Sequence, residues 1–209
     1  MTRRTAPRPR SAEVSVLAIL RGLVPDRRLS YGEALRIAEL QANKLKEHFG
    51  IDAAEVPTEL ITELPRITVD HDPDMPVSGS AHWNGYRWII TLNASEPPLR
   101  RRFSMMHELK HIIDHTTRHH LYGRDDDPAA RQRAERAADH FAACLLMPKR
   151  WVKRLWGEGT QAITQMAAAF GVSHQAMRYR LDQLGLVEPP ERCRPDANRY
   201  QRARMEVAA

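Results

Sequence analysis

The chain has 209 residues, 42% hydrophobic, 6% aromatic and 28% charged, which suits a globular core of one domain, or of one domain plus a small appendage. No apolar run approaches the roughly 20 residues needed to span a bilayer. Two cysteines, Cys144 and Cys193, make no disulfide framework, so the composition points to a cytoplasmic protein without a membrane partner. The net charge of +6 is uneven: residues 1–28 hold seven Arg against Glu13 and Asp26, which reads as a basic, solubilising arm that can also touch nucleic acid or an acidic partner.

Residues 1–10 have the composition of a disordered arm. Arg3, Arg4, Arg8 and Arg10 precede the apolar run Val14 to Leu20. That run is stopped by Arg21 and lacks a small-x-small cleavage site, so it is read as part of a short helix, Ala12 to Val24, rather than a signal peptide. Ser30 and Glu33 form a capping box. They open a helix whose Leu35, Ala38, Ala42, Leu45 and Phe49 share one stripe, closed by Gly50. A short helix follows between Pro57 and Leu64, and Ile67 to Val69 begins the strand region. Asn84-Gly85 is a two-residue hairpin signal inside Ser80 to Leu92, and Arg87 to Asn93 reads as the sheet edge that would take an extended substrate. Pro97-Pro98 opens a helix running to about Thr117. Arg100, Arg101 and Arg102 form a solvated flank in its first turns, where positive charge is locally unfavourable.

Within that helix lies His107-Glu108-Leu109-Lys110-His111. Four residues is just over one turn, so both imidazoles leave one face about 6 Å apart along the axis. Two neutral imidazoles so spaced can converge on one Zn²⁺, with Glu108 placed to take a proton from metal-bound water. A catalytic zinc needs a third protein ligand and an open fourth position. A metzincin-type extension is excluded, because Asp114 and Thr117 stand where glycine and a third histidine would be required. His115 lies about 12 Å along the axis from His107, too far to share an ion. His119 and His120 suit the exposed carbonyls of the helix end.

The third ligand is sought downstream. Arg131 to Met147 reads as a second helix, flanked by the acidic run Asp125-Asp126-Asp127-Pro128. Glu135 and Asp139 share a face of it. One carboxylate can ligate the metal and the other can accept the N–H of a ligating imidazole and fix its tautomer. The face is rich in Ala and lies beside Phe141, where free carboxylates would be costly without partners. Cys144 on the same helix reads as a small core residue.

The two segments, His107 to His111 and Ala134-Glu135-Arg136-Ala137-Ala138-Asp139-His140-Phe141-Ala142-Ala143-Cys144-Leu145-Leu146-Met147-Pro148, together resemble the ImmA/IrrE family of metallo-endopeptidases. In that family the zinc helix is paired with a helix ending in Leu-Leu-Met-Pro. Ser78 to Trp83 and Thr91 to Asn93 are similar to its hairpin ahead of the zinc helix, and the resemblance covers about residues 30–187. It implies an α+β fold with a minimal zincin-like, gluzincin-type core, a small sheet and an active-site helix. It implies Zn²⁺ on His107, His111 and Glu135, Glu108 as general base, and Asp139 at the position of the family's Asn or Asp. The implied substrate is a transcriptional repressor, cut to release genes of stress response or mobile elements. For an oxyanion-stabilising donor the residues offer only His82, Tyr86, Tyr122 and His140, each more in keeping with packing or surface.

Beyond Pro148 the chain changes character. Arg150 to Trp156, Gln161 to Phe170 and Ser173 to Leu184 read as three short helices, and Met166 to Ser173 resembles a helix-turn-helix corner with Arg178 and Arg180 on the following helix. Two readings follow. Either the segment packs on the peptidase core through Ile163, Ala167, Phe170, Val172, Met177, Leu181 and Leu184, or it contacts DNA through the two arginines. The first is favoured, because the segment carries few positive charges. The rival to the peptidase is therefore a DNA-binding transcriptional regulator using residues 161–185, with a non-catalytic zinc site. A structural zinc would prefer four closed ligands, typically with Cys, and neither cysteine is at ligand spacing. The expected division is a basic arm and short helix over 1–28, a metallopeptidase domain over 29–148, a helical extension over 149–187 and a tail over 188–209.

Overall fold

The computed structural model describes residues 15–124 and 126–187. Arg3, Arg4, Arg8 and Arg10 of the arm, Asp125, Cys193 and the tail from residue 188 lie outside the described residues.

The first helix, α1 (Val16–Arg21), buries Val16, Leu17 and Leu20. Arg21 at its end donates from Nε to Ile113 O at 3.0 Å and from its terminal nitrogen to Ile112 O at 2.8 Å. These are carbonyls of the last turn of α3 (Pro98–Asp114), which have no partner within their own helix. α2 (Tyr31–His48) begins at the capping box: Glu33 N–H donates to Ser30 Oγ at 3.3 Å, and Ser30 N–H to Glu33 Oε2 at 2.8 Å. Its buried stripe is Ala34, Ile37, Ala38, Gln41, Ala42 and Leu45. The predicted stripe is thus rotated slightly, leaving Leu35 and Phe49 half-buried at its margins.

A 3-10 turn (Glu59–Glu63) leads into a three-stranded sheet of β1 (Ile67–Asp72), β2 (Gly79–Trp83) and β3 (Trp88–Asn93), in the order β1-β3-β2. β1 runs parallel to β3, with Ile67 opposite Trp88, and β2 runs antiparallel to it, with Trp83 opposite Trp88. This corrects two expectations. β3 is the central strand, with Ile90 and Leu92 buried, so the edge beside the hairpin is β2. The turn is also shifted by one residue. Asn84 N–H bonds to Arg87 O, and its side chain accepts from the amides of Tyr86 and Arg87. The two residues at the tip are therefore Gly85, at φ 93°, and Tyr86.

α3 packs on β2 and β3 and against α5 (Pro128–Leu146), which also lies along α2. Between them runs the short α4 (Arg118–Leu121). Asp127 caps α5 by accepting from Ala129 N–H at 2.9 Å, with Pro128 at the first helical position. After Leu-Leu-Met-Pro come α6 (Lys149–Gly157), α7 (Ile163–Phe170) and α8 (His174–Gln183). Gly171, at φ 59°, ends α7 in the left-handed conformation, and Ser173 caps α8 through Ala176 N–H. Met166, Ala167, Phe170, Val172, Met177 and Leu181 belong to the same apolar cluster as Met106, Leu109, Phe141 and Leu145, so a single core runs from the sheet through the last two helices. Arg180 is buried and donates to Met147 O at 3.1 Å; its side chain ties α8 to the end of α5. Among the described residues no helix is long and apolar enough to cross a membrane.

Candidate metal centre

His107 and His111 leave α3 on the face that meets α5. Their rings lie edge to face with centroids 4.8 Å apart, and their Nε2 atoms are 3.0 Å apart. Glu135, from the facing turn of α5, brings Oε2 to 3.1 Å from His107 Nε2 and Oε1 to 3.5 Å from His111 Nε2. On the next turn of α5, Asp139 Oδ1 stands 2.8 Å from His107 Nδ1. With Nδ1–H given to Asp139, Nε2 is the nitrogen that His107 turns toward Glu135 and His111.

Three acceptor-capable groups therefore converge, with ligand atoms within 4.8 Å of one another. Ligand atoms about 2.0–2.2 Å from a tetrahedral ion stand about 3.3–3.6 Å apart, close to the 3.0–3.5 Å found here. Two imidazoles and a carboxylate also match the donor preference of zinc, so the residues fit this ion. The local field favours positive charge in the same place. Burial opposes a charge on His107, but hydrogen bonds with Asp139 and Glu135 prevail and push its pKa up to about 9. Hydrogen bonds from His107 and His111 pull the Glu135 carboxyl well below its ordinary range.

Glu108 borders the same cavity, a hollow of about 260 Å³ also lined by Ser78, Gly79, Arg100, Phe103 and Asp139. Burial raises its pKa, with His111 and His107 acting in the opposite direction. Gly79 on β2 is what lets the strand lie against this carboxylate: a Cβ there would stand 3.1 Å from Glu108 Cγ and 3.3 Å from Oε1. Sequence reasoning passed over Gly79, and the Ser-Gly-Ser run at 78–80 was the available signal.

The carboxylate-bearing face of α5 differs from expectation. Ala134, Ala138 and Phe141 are buried, but the Glu135 and Asp139 side chains are 58% and 52% exposed, so they reach the site from the rim of the helix interface. Other candidates lie elsewhere. His115 stacks edge-on against Trp88. His119 and His120 face each other, with His120 paired to Asp26 at 3.1 Å. Of the four residues offered as oxyanion donors, none lines the cavity: Tyr122 is buried and donates to Asp114 at 2.6 Å, and His140 lies against Cys144 and Gln183. Arg100 is the cation at its wall, held near Ser78 Oγ and Glu96. Arg101 and Arg102 turn to the carbonyls of Ala94 and Val56, and so serve the fold.

A small sheet over a two-histidine helix, with a carboxylate supplied by the next long helix, defines a zincin-like protein. The family model described as the IrrE N-terminal-like domain, Peptidase_M78, matches residues 47–182. The chain belongs to this family, one of zinc metallopeptidases. A solved structure described as a Mycobacterium tuberculosis transcriptional regulator is similar, with a TM-score of 0.60 at 17% identity over 84% of this chain and 53% of that one. That likeness is one of fold, and the chain spans about half the length of that protein. No curated protein matches.

Proposed function

We propose that the chain is a zinc-dependent endopeptidase that cuts a protein substrate, a DNA-binding transcriptional repressor, in the cytoplasm. His107, His111 and Glu135 hold the metal, within a catalytic unit over residues 29–148 on which 149–187 packs. The observation that carries this reading is the triangle of Nε2, Nε2 and carboxylate oxygen, with Glu108 lining the same cavity as His107 and Glu135. Bound zinc supplies Lewis acidity to water and to the scissile carbonyl. Glu108 takes the proton of the attacking water and passes it to the leaving amine, a task suited to a carboxyl whose pKa is raised. Asp139 keeps His107 in the tautomer that presents Nε2. The outer edge of β2, unpaired within the sheet, gives an extended substrate main-chain hydrogen bonds. The repressor substrate is supported by the family, whose IrrE-like members act on repressors.

The rival reading is a regulator that binds DNA through 161–185 beside a non-catalytic zinc. Its support is the α7–α8 corner and the fold shared with a protein described as a transcriptional regulator. The burial of Arg180 counts against it. Metal analysis with three variants tests the choice. Glu135→Ala should lose zinc. Glu108→Ala should keep zinc and lose cleavage of a co-expressed repressor. If Glu108→Ala leaves every cellular effect intact while Arg178→Ala abolishes it, the regulator reading wins.

A further inference from the structure

We propose that the cleft between α3, α5 and α8 receives a large apolar side chain of the substrate next to the scissile bond, so that α8 sets where the enzyme cuts. The inference rests on the endopeptidase reading above and names its specificity pocket. The cleft measures about 630 Å³, within the roughly 300–1,000 Å³ of ligand pockets. Phe103, Ala143, Met147, Val172 and Ala176 line it, and Leu99 and Tyr179, 44% and 55% exposed, also border it. Large apolar groups left open around a concavity mark a place where apolar matter docks.

Its position says what docks there. Arg100, Phe103 and Asp139 line both this cleft and the cavity bordered by His107, Glu108 and Glu135. The two hollows are thus neighbours sharing one wall, and a peptide stretched along β2 past Glu108 has the cleft beside it. The opposite wall is the exposed face of α8: Gln175, Arg178, Tyr179 and Asp182 all border the cleft. In a helix-turn-helix reader this face would be offered to duplex DNA. Here Asp139 and Asp182 stand around the same hollow as Arg178, a poor match for a phosphate backbone. A concave, mostly apolar surface with a few polar groups at its edge suits a peptide side chain.

The test uses the full chain loaded with zinc and a denatured whole-proteome peptide library, with cut sites read by mass spectrometry. The expected result is enrichment of Leu, Met and Phe over Gly by about ten-fold or more at one of the two positions flanking the cut bond. Ala176→Trp should fill the cleft and move the preference to Ala, Ser and Gly with zinc content unchanged; Tyr179→Ala should broaden it. In parallel, the Met147 methyl, assigned through Met147→Leu in ¹³C-methyl-methionine protein, should shift with N-acetyl-phenylalanine methylamide in the parent and not in Ala176→Trp. Cutting without preference, or a preference that Ala176→Trp leaves alone, overturns the cleft assignment while the endopeptidase reading stands. Absence of cutting by zinc-loaded protein sinks the endopeptidase reading. The methyl then decides the cleft alone: a shift supports an apolar pocket, and silence, or a shift caused by random-sequence duplex DNA instead, overturns it.

Discussion

Asp139 accepts a hydrogen bond from Nδ1–H of His107 across 2.8 Å, joining α5 to α3. The bond fixes the orientation of the ring, and so which nitrogen faces His111 and Glu135. The contact ties two long helices together beside His111 and Glu135, so in the proposed metal site fold and ligand orientation meet at one residue.

Asp139→Ala should weaken zinc binding by about 10–100-fold without emptying the site at saturating metal. Chelator competition followed by atomic absorption measures this. Glu135→Ala should be far worse, because it removes a corner of the triangle. Equal affinities for Asp139→Ala and the parent protein would contradict the role given to Asp139.

Gly79→Ala probes the approach of β2 to Glu108, the proposed base. A methyl 3.1 Å from Glu108 Cγ forces the strand or the carboxylate to yield. If Glu108 is the base proposed above, displacing it by a fraction of an ångström should lower kcat on the order of ten-fold. Zinc content should stay the same, because neither imidazole is touched. Loss of metal with kcat per bound zinc preserved would place the effect on the ligands and not on Glu108.

Much of this arrangement was readable in the residues before any fold. The His-Glu-x-x-His run, the Glu135/Asp139 spacing and the Ser30/Glu33 box are local patterns, and local geometry carries them directly into the structure. What could not be read depends on distant partners. The hairpin signal at Asn84-Gly85 pairs β2 with β3 but says nothing of β1, whose parallel pairing makes β3 central. Lys110 stands at a free position of the motif, yet it is fully buried, with its ammonium against Gln41 of α2 and Asp114. Arg180 has the look of a nucleic-acid contact until Met147 O is found beside its Nε.

Glu33 ties stability to pH. Arg27 donates to its Oε1 at 2.6 Å, and Ser30 N–H and Oγ–H to its Oε2 at 2.8 and 2.9 Å. These bonds hold its carboxyl at about 2 against an ordinary 4.5. The unfolded chain therefore takes up the proton first as pH falls. The stabilisation is whole above about pH 5 and disappears as pH drops through about 2. Urea midpoints of the parent protein should exceed those of Glu33→Gln near neutral pH, and the two should converge toward about pH 2. A gap independent of pH would show that the carboxylate charge has no part in the cap.

Lys110 is fully buried, and its ammonium donates to Asp114 Oδ2 at 2.6 Å and to Gln41 Oε1 at 2.8 Å. Gln41 in turn donates to Leu20 O, and Tyr122 donates to Asp114. Burial lowers the Lys110 pKa, and the adjacent Asp114 works against that shift. Removing one partner strands the other's charge in the core, so Lys110→Ala should cost about 3–5 kcal/mol. Replacing both charges together, as in Lys110→Met with Asp114→Asn, leaves no stranded ion and should recover much of the loss. Urea unfolding of the two single variants and the double variant forms the cycle. If the losses simply add, the pair is not a coupled unit, and the network linking α1, α2 and Tyr122 to α3 is incidental to its stability.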